Sequence, residues 1–166
     1  RILAAKQVNP TRMELTRLKK KLVTAVRGHK LLKDKRDELM RQFLDKVREN
    51  KALREEVETA LVSANQNFML ARAGMPDEML NTALLAPKQE LTISAGTQNV
   101  MSVEIPDFDF KPRTPDQNDM YSYGFAFTTG DLDDAILSLS EVFPKMLKLA
   151  EVEKSCQLMA AEIEKT

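Results

Sequence analysis

The sequence predicts a mainly α protein: a long antiparallel two-helix coiled coil with a small globular base containing a short β-hairpin. Three observations carry this. Apolar residues recur every three or four positions at Leu15, Leu18, Leu22, Ala25, Leu32, Leu39 and Phe43, and no proline stands between Pro10 and Pro76. Spacing sustained over that length marks a coiled-coil seam. A second apolar stripe follows Asp131, so two helices are available to face each other. Aromatics are only 5% of the residues against 30% charged, which favours helices meeting along seams over a thick core.

The first helix is expected from about residue 10 to 73. Asn9 before Pro10 is one start signal, and Thr11 with Glu14, a capping box, is another. Gly28 is tolerable inside it at roughly 1 kcal/mol. Beyond Phe43 the apolar positions read Val47, Val57, Ala60, Leu61, Ala64 and Phe68, with Arg36, Lys46 and Asn50 as poor seam residues between the runs. This suggests a stutter in the repeat. Gly74-Met75-Pro76 ends the helix, and residues 76–86 suit a short helix with Asp77 and Glu78 in its first turn.

The base is expected over residues 74–130. Leu91–Ala95 and Val100–Ile105 alternate as short strands, joined by Gly96-Thr97-Gln98-Asn99. Residues 106–119 read as a loop, and Tyr123–Phe127 as a third strand or an aromatic packing segment. The last helix is expected from residue 131, with a stripe of Leu132, Ile136, Leu139, Phe143, Met146, Leu147, Ala150, Met159, Ala160 and Ile163. Pro144 should kink or divide it. If residue 131 lies beside residue 73, Thr166 lies near residue 38, and Leu15, Leu18, Leu22 and Leu32 lack a facing helix. The expectation is that further C-terminal sequence, or another chain, supplies the partner.

The formal charge is zero, but residues 10–36 carry ten bases against two acids and residues 74–130 three bases against eight acids. Such asymmetry speaks to partners. The bases Arg12, Arg17, Lys19, Lys20, Lys21, Arg27 and Lys30 surround the rod as a sleeve rather than forming one patch. No aromatics interleave with them, as single-strand nucleic-acid binding would favour. The scattered glycines make no phosphate loop, and His29 and Cys156, each the only one of its kind, make no zinc set or nucleophile pair. His29 and Cys156 are expected to be seam residues, and Asp107-Phe108-Asp109 a solvated loop. No cofactor and no catalytic residue is expected. One cysteine suits a reducing compartment, and no apolar run approaches the ~20 residues of a membrane span.

Residues 9–15, Asn-Pro-Thr-Arg-Met-Glu-Leu, and residues 27–39, Arg-Gly-His-Lys-Leu-Leu-Lys-Asp-Lys-Arg-Asp-Glu-Leu, resemble the N-terminal signature of the family of D subunits of rotary V-type and A-type ATPases. Residues 147–154 through 163–166 resemble the start of that family's last helix, and Val100–Val103 its hairpin region. The resemblance implies a non-catalytic rotor axle that transmits torque between a ring of A and B subunits and the membrane ion-translocating rotor. It implies a cytoplasmic place, peripheral on the inner face of the membrane. The sleeve residues would meet the ring interior. Leu91, Ile93, Val100, Val103 and Ile105 would hold the small F component of the stalk or serve as a coupling hairpin, near the membrane-side funnel subunit. Nucleic acid and membrane insertion are not implied. The alternative reading is a coiled-coil adaptor or nucleic-acid-binding rod.

Overall fold

A computed structural model describes residues 9–124 and 129–165. Helix α1 runs Arg12–Gly74, about 95 Å at 1.5 Å per residue. Its start is settled by Thr11, whose Oγ1 accepts from the Glu14 backbone N–H at 3.3 Å. Helix α2, Asp77–Leu84, follows an extended Met75. Strands β1, Leu91–Val100, and β2, Val103–Pro112, pair antiparallel. A 3-10 turn at Gln117–Met120 leads back to helix α3, Gly130–Lys165.

Helix α3 packs antiparallel on the lower half of α1. Arg54 pairs with Glu153, Lys145 with Glu56, and Asn67 Nδ2 donates to Ser138 Oγ at 3.2 Å. Leu39 and Met159 share one buried cluster, and Ala71 and Leu132 another. These pairs place Lys165 near the level of residue 38, as the helix lengths require.

The expected stutter is absent. Residues 39, 43, 46, 50, 53, 57, 60, 64, 67 and 71 are all buried or half-buried, in unbroken steps of four and three. Lys46, Asn50 and Asn67 are therefore true seam positions, and Val47 lies outside the seam. The frame continues upward through Arg36, Leu32, His29, Ala25, Leu22, Leu18 and Leu15. The expected stripe of α3 holds in part: Leu132 and Met159 are buried, and Ile136, Phe143, Leu147, Ala160 and Ile163 half-buried. Its seam is Ala135, Ser138, Val142, Lys145, Leu149, Val152, Cys156, Met159 and Ile163, of which only Lys145 is exposed. Leu139, Met146 and Ala150 are exposed. Polar residues at seam positions moved the apparent stripe by one residue, because apolar neighbours flank them. Pro144 lies inside one continuous α3 and does not divide it. It sits on an exposed side, so the Ser140 carbonyl it leaves unbonded can be hydrated.

The hairpin differs from expectation in length and turn. Gly96–Asn99 belongs to β1, and β2 extends through Pro112 into the expected loop. The turn is Met101-Ser102, both at positive φ, 51° and 71°, a type I′ geometry usually given to Asn and Gly. Left-handed backbone costs roughly 1–2 kcal/mol per non-glycine residue. Val100, Met101, Val103 and Ile105 offset it by packing on Leu39 and Met159, and Asn99 Oδ1 accepts from Ser102 N–H at 3.1 Å. Gly96 lies opposite Asp107, whose carbonyl oxygen would stand 3.6 Å from a Cβ there.

The hairpin lies along the rod rather than projecting from it. Phe110 meets Phe143 edge to face, 5.4 Å between centroids, near the base. Glu151 Oε2 accepts from Phe108 N–H at 3.2 Å midway, and the tip caps Leu39 and Met159. Odd residues of β2 face the rod at the tip and even ones at the base, so the ribbon rolls over between Ile105 and Phe108. Two-stranded ribbons twist strongly enough for this.

At the bottom, Leu80 of α2 closes on Ala71, Met75 and Leu132, with Tyr123 against them. Tyr123 donates its hydroxyl to Asp133 Oδ1 at 2.6 Å, and burial and that carboxylate raise its pKa. The expected segment Tyr123–Phe127 falls largely on residues 125–128, outside the described residues; Tyr123 and Gly124 are not in a strand.

Candidate functional site

Two surfaces follow from this geometry. The first is the upper rod, where α1 has no facing helix among the described residues. Arg12, Arg17, Lys19, Lys20, Lys21, Arg27 and Lys30 are all exposed. Arg17 is tied to Glu14 at 2.7 Å, while the others form no ion pair among the described residues. Successive residues turn by about 100°, so Lys19, Lys20 and Lys21 point to three sides. Between them the seam continues bare: Leu22 is 64% and Leu32 58% exposed. His29 occupies its seam position but is exposed rather than packed, because nothing faces it among the described residues. The upper rod thus combines an apolar stripe with a positive sleeve, able to bury the one and pair the other only against something else.

The second surface is the lower rod with its hairpin. Of the five residues expected to meet a partner there, Val103 and Ile105 are buried, at 6% and 7% exposure, against Leu39 and Met159. Val100 is half-buried in the same cluster. Val103 and Ile105 thus serve the chain's own core, while Val100 remains partly exposed. Leu91 and Ile93 stay exposed. Leu91 borders a groove of about 550 Å³ shared with Phe110, Met120, Leu137 and Phe143.

Sequence reasoning missed two features. One is Glu151, the carboxylate that ties β2 to α3. Burial opposes its charge, but Lys148, the Phe108 N–H and Lys46 outweigh burial, so its carboxyl sits below the ordinary range. Only the strand's extension past Pro106 could have revealed it. The other is a flank of the coiled coil. Arg54 and Glu153 pair across one side; heptad steps from Arg54 reach Met40, Val47, Leu61 and Phe68, and from Glu153 reach Met146 and Leu139. Met40, Val47, Leu139 and Met146 are exposed, and Leu61 and Phe68 half-exposed. The heptad frame, once fixed, identifies this flank.

Cys156 lies half-buried on the α3 seam, its pKa raised by burial first. Among the described residues no group of His, Cys, Asp and Glu side chains could hold a metal ion, and Asp107 and Asp109 lie within β2 rather than in a loop. No described helix is long and apolar enough to cross a membrane.

Comparison with known proteins places the sequence in a family. The family described as the D subunits of ATP synthase matches residues 14–166. Among V-type ATP synthase D subunits, that of Acetivibrio thermocellus is 60% identical over 164 residues, covering 99% of this chain and 74% of that protein. Its counterpart in Clostridioides difficile is 58% identical over 164 residues, covering 99% and 73%. That of Thermoanaerobacter sp. (strain X514) is 53% identical over 159 residues, covering 96% and 75%. A rod of two antiparallel helices with a hairpin along its lower half is thus the form taken by a chain that belongs to the family of ATP synthase D subunits.

Proposed function

We propose that this chain is the central axle of a V-type rotary ATPase, a non-catalytic subunit that passes torque between a ring of A and B subunits and a membrane ion-translocating rotor. One observation carries the reading. A single helix is bare, basic and apolar-striped above residue 38, yet paired and braced below it. The upper part suits insertion into a cavity that contacts it from all sides; the lower part suits a rigid base. The mechanism is differential binding, in which an asymmetric rod favours a different conformation of each ring site in turn. The exposed flank with Val47, Leu61, Leu139 and Met146, together with Leu91 and Ile93, would receive the F component of the stalk, and the α2 end the membrane-side funnel subunit. The complex would place the chain at the cytoplasmic face of the membrane, peripherally.

The test is reconstitution with the A/B ring. A Lys19→Glu/Lys20→Glu/Lys21→Glu variant should lose ring binding or stimulation of ATP hydrolysis at least tenfold while keeping its helix content. Unchanged stimulation would count against the sleeve. Tight DNA binding with a steep salt dependence, and none to the ring, would favour the adaptor or nucleic-acid reading.

A further inference from the structure

The two edges of the hairpin are built differently. A two-residue type I′ turn makes Val100 and Val103 a pair that exchanges both backbone bonds. Arg113 N–H donating to Glu90 C=O at 2.8 Å keeps the same parity at the open end. The backbone groups of Leu91, Ile93, Ala95, Thr97 and Asn99 therefore point away from β2, and those of Glu104, Pro106, Phe108, Phe110 and Pro112 away from β1.

The outer edge of β2 is disarmed. Pro106 and Pro112 have no N–H, Phe108 N–H goes to Glu151 Oε2 at 3.2 Å, and Phe110 N–H goes to Asp109 Oδ1 at 2.9 Å. Four of its five outward donors are absent or bonded. The edge of β1 carries none of these devices. Leu91–Val100 contains no proline and no charged residue, and residues 91–99 are exposed throughout. A long, uncharged open edge is what proteins ordinarily avoid, because it templates pairing with another strand.

We propose that β1 is a docking edge that receives an extended segment of another protein of the complex as a third strand. The occupant's chemistry follows from what it would lie against. Leu91, Ile93 and Ala95 share a face with Phe108 and Phe110, and that face runs into the groove bounded by Leu137 and Phe143. Thr92, Ser94, Gly96 and Gln98 form the opposite face. Toward Leu91, Ile93 and Ala95 a charged side chain would find no partner on β1 and would lose water without compensation. The segment thus carries apolar side chains at alternate positions toward Ile93, with polar ones between. The proposal rests on the axle reading only in taking the donor from the assembled complex.

Hydrogen exchange on the purified complex and on the isolated chain, compared at one pH, tests it. The amides of Leu91, Ile93, Ala95, Thr97 and Asn99 should slow at least tenfold on assembly. Those of Thr92, Ser94, Gly96 and Gln98, already bonded to β2, should change less. An Ala95→Lys/Thr97→Lys variant should enter the complex through its upper rod, keep the inward amides protected, and lose the outward protection. Equal exchange of the outward amides in free and assembled chain overturns the docking edge and leaves the axle intact. Failure of the unmodified chain to join the complex overturns both. Outward protection already present in the free chain and lost on dilution means a second copy occupies the edge, which also overturns the proposal.

Discussion

Helix α1 is one helix with two environments. Above residue 38 its heptad positions hold Leu15, Leu18, Leu22 and Leu32 beside Ala25, His29 and Arg36; the lower half mixes Leu39, Phe43, Leu53 and Val57 with Lys46, Asn50, Ala60, Ala64, Asn67 and Ala71. Yet Leu22 and Leu32 are largely exposed, while Ala64 and Ala71 are buried. Burial along a rod is decided by what stands opposite, not by the strength of its own stripe. The lower half is braced twice, by α3 along the seam and by the hairpin across its top. Small and polar seam residues suffice there because α3 stands opposite them.

The sharpest break in that comparison is a pair of truncations at one chemistry. Leu39, 1% exposed, sits under the hairpin tip with Met159. Leu39→Ala should destabilise the isolated chain by about 2–5 kcal/mol through lost transfer energy and the cavity left behind, read from the urea midpoint. Leu132→Ala, buried against Ala71 and Leu80, should cost a similar amount. If either changed the midpoint no more than an upper-rod truncation, the lower cluster would not be the core.

Much of this was legible in the sequence, and where it was not, the reason is local. The long helix, the antiparallel return and the unpaired upper seam followed from spacing and length, whereas Thr11 was one of two caps the sequence left open. The seam phase below Phe43 did not, because Lys46 and Asn50 on α1 and Ser138 and Lys145 on α3 occupy positions a hydropathy pattern assigns to apolar side chains. The hairpin turn was misplaced because Gly96 and Asn99 are turn formers by propensity, while the real turn uses Met101 and Ser102, held by contacts over 50 residues away in sequence. The same contacts explain the site. Val103 and Ile105 read as exposed strand residues until Leu39 and Met159 are placed over them. The basic sleeve was readable because it depends on nothing but the helix carrying it.

Next in size is the bond from Glu151 to β2. A hydrogen bond to a charged group contributes about 1.5–3 kcal/mol, so Glu151→Ala should loosen the middle of the hairpin by that order and raise exchange at Phe108. The effect depends on pH. The folded carboxyl lies below the ordinary range, so its contribution is fully present above the unfolded pKa of about 4.3 and is lost as pH falls through the lower folded value. Glu151→Gln keeps an acceptor for Phe108 but not the charge facing Lys148. Its urea midpoint should fall below wild type at pH 6 and converge with it as pH drops below about 4. A gap that persisted unchanged at pH 2 would mean that charge is not what Glu151 contributes.

Smaller still is the flank pair. Arg54 and Glu153 are both substantially exposed, and solvent-exposed pairs contribute about 0.2–1 kcal/mol. A double-mutant cycle with Arg54→Ala and Glu153→Ala should give a coupling in that range, declining with added salt. A coupling above about 2 kcal/mol would show that this flank is drier than its exposure indicates.

The smallest effect is the other half of the opening contrast. Leu22→Ala and Leu32→Ala should each change the stability of the isolated, monomeric chain by no more than about 0.5 kcal/mol, because little contact is lost. Hydrogen exchange should agree: amides of residues 12–35 should exchange much faster than those of residues 40–70, since an unsupported helical segment opens locally at low cost. Adding the A/B ring should slow the upper amides and make the same two substitutions costly. Uniform slow exchange from residue 12 to 70 in dilute chain would mean the upper rod is stable unaided. That would remove the reason for assigning it a partner.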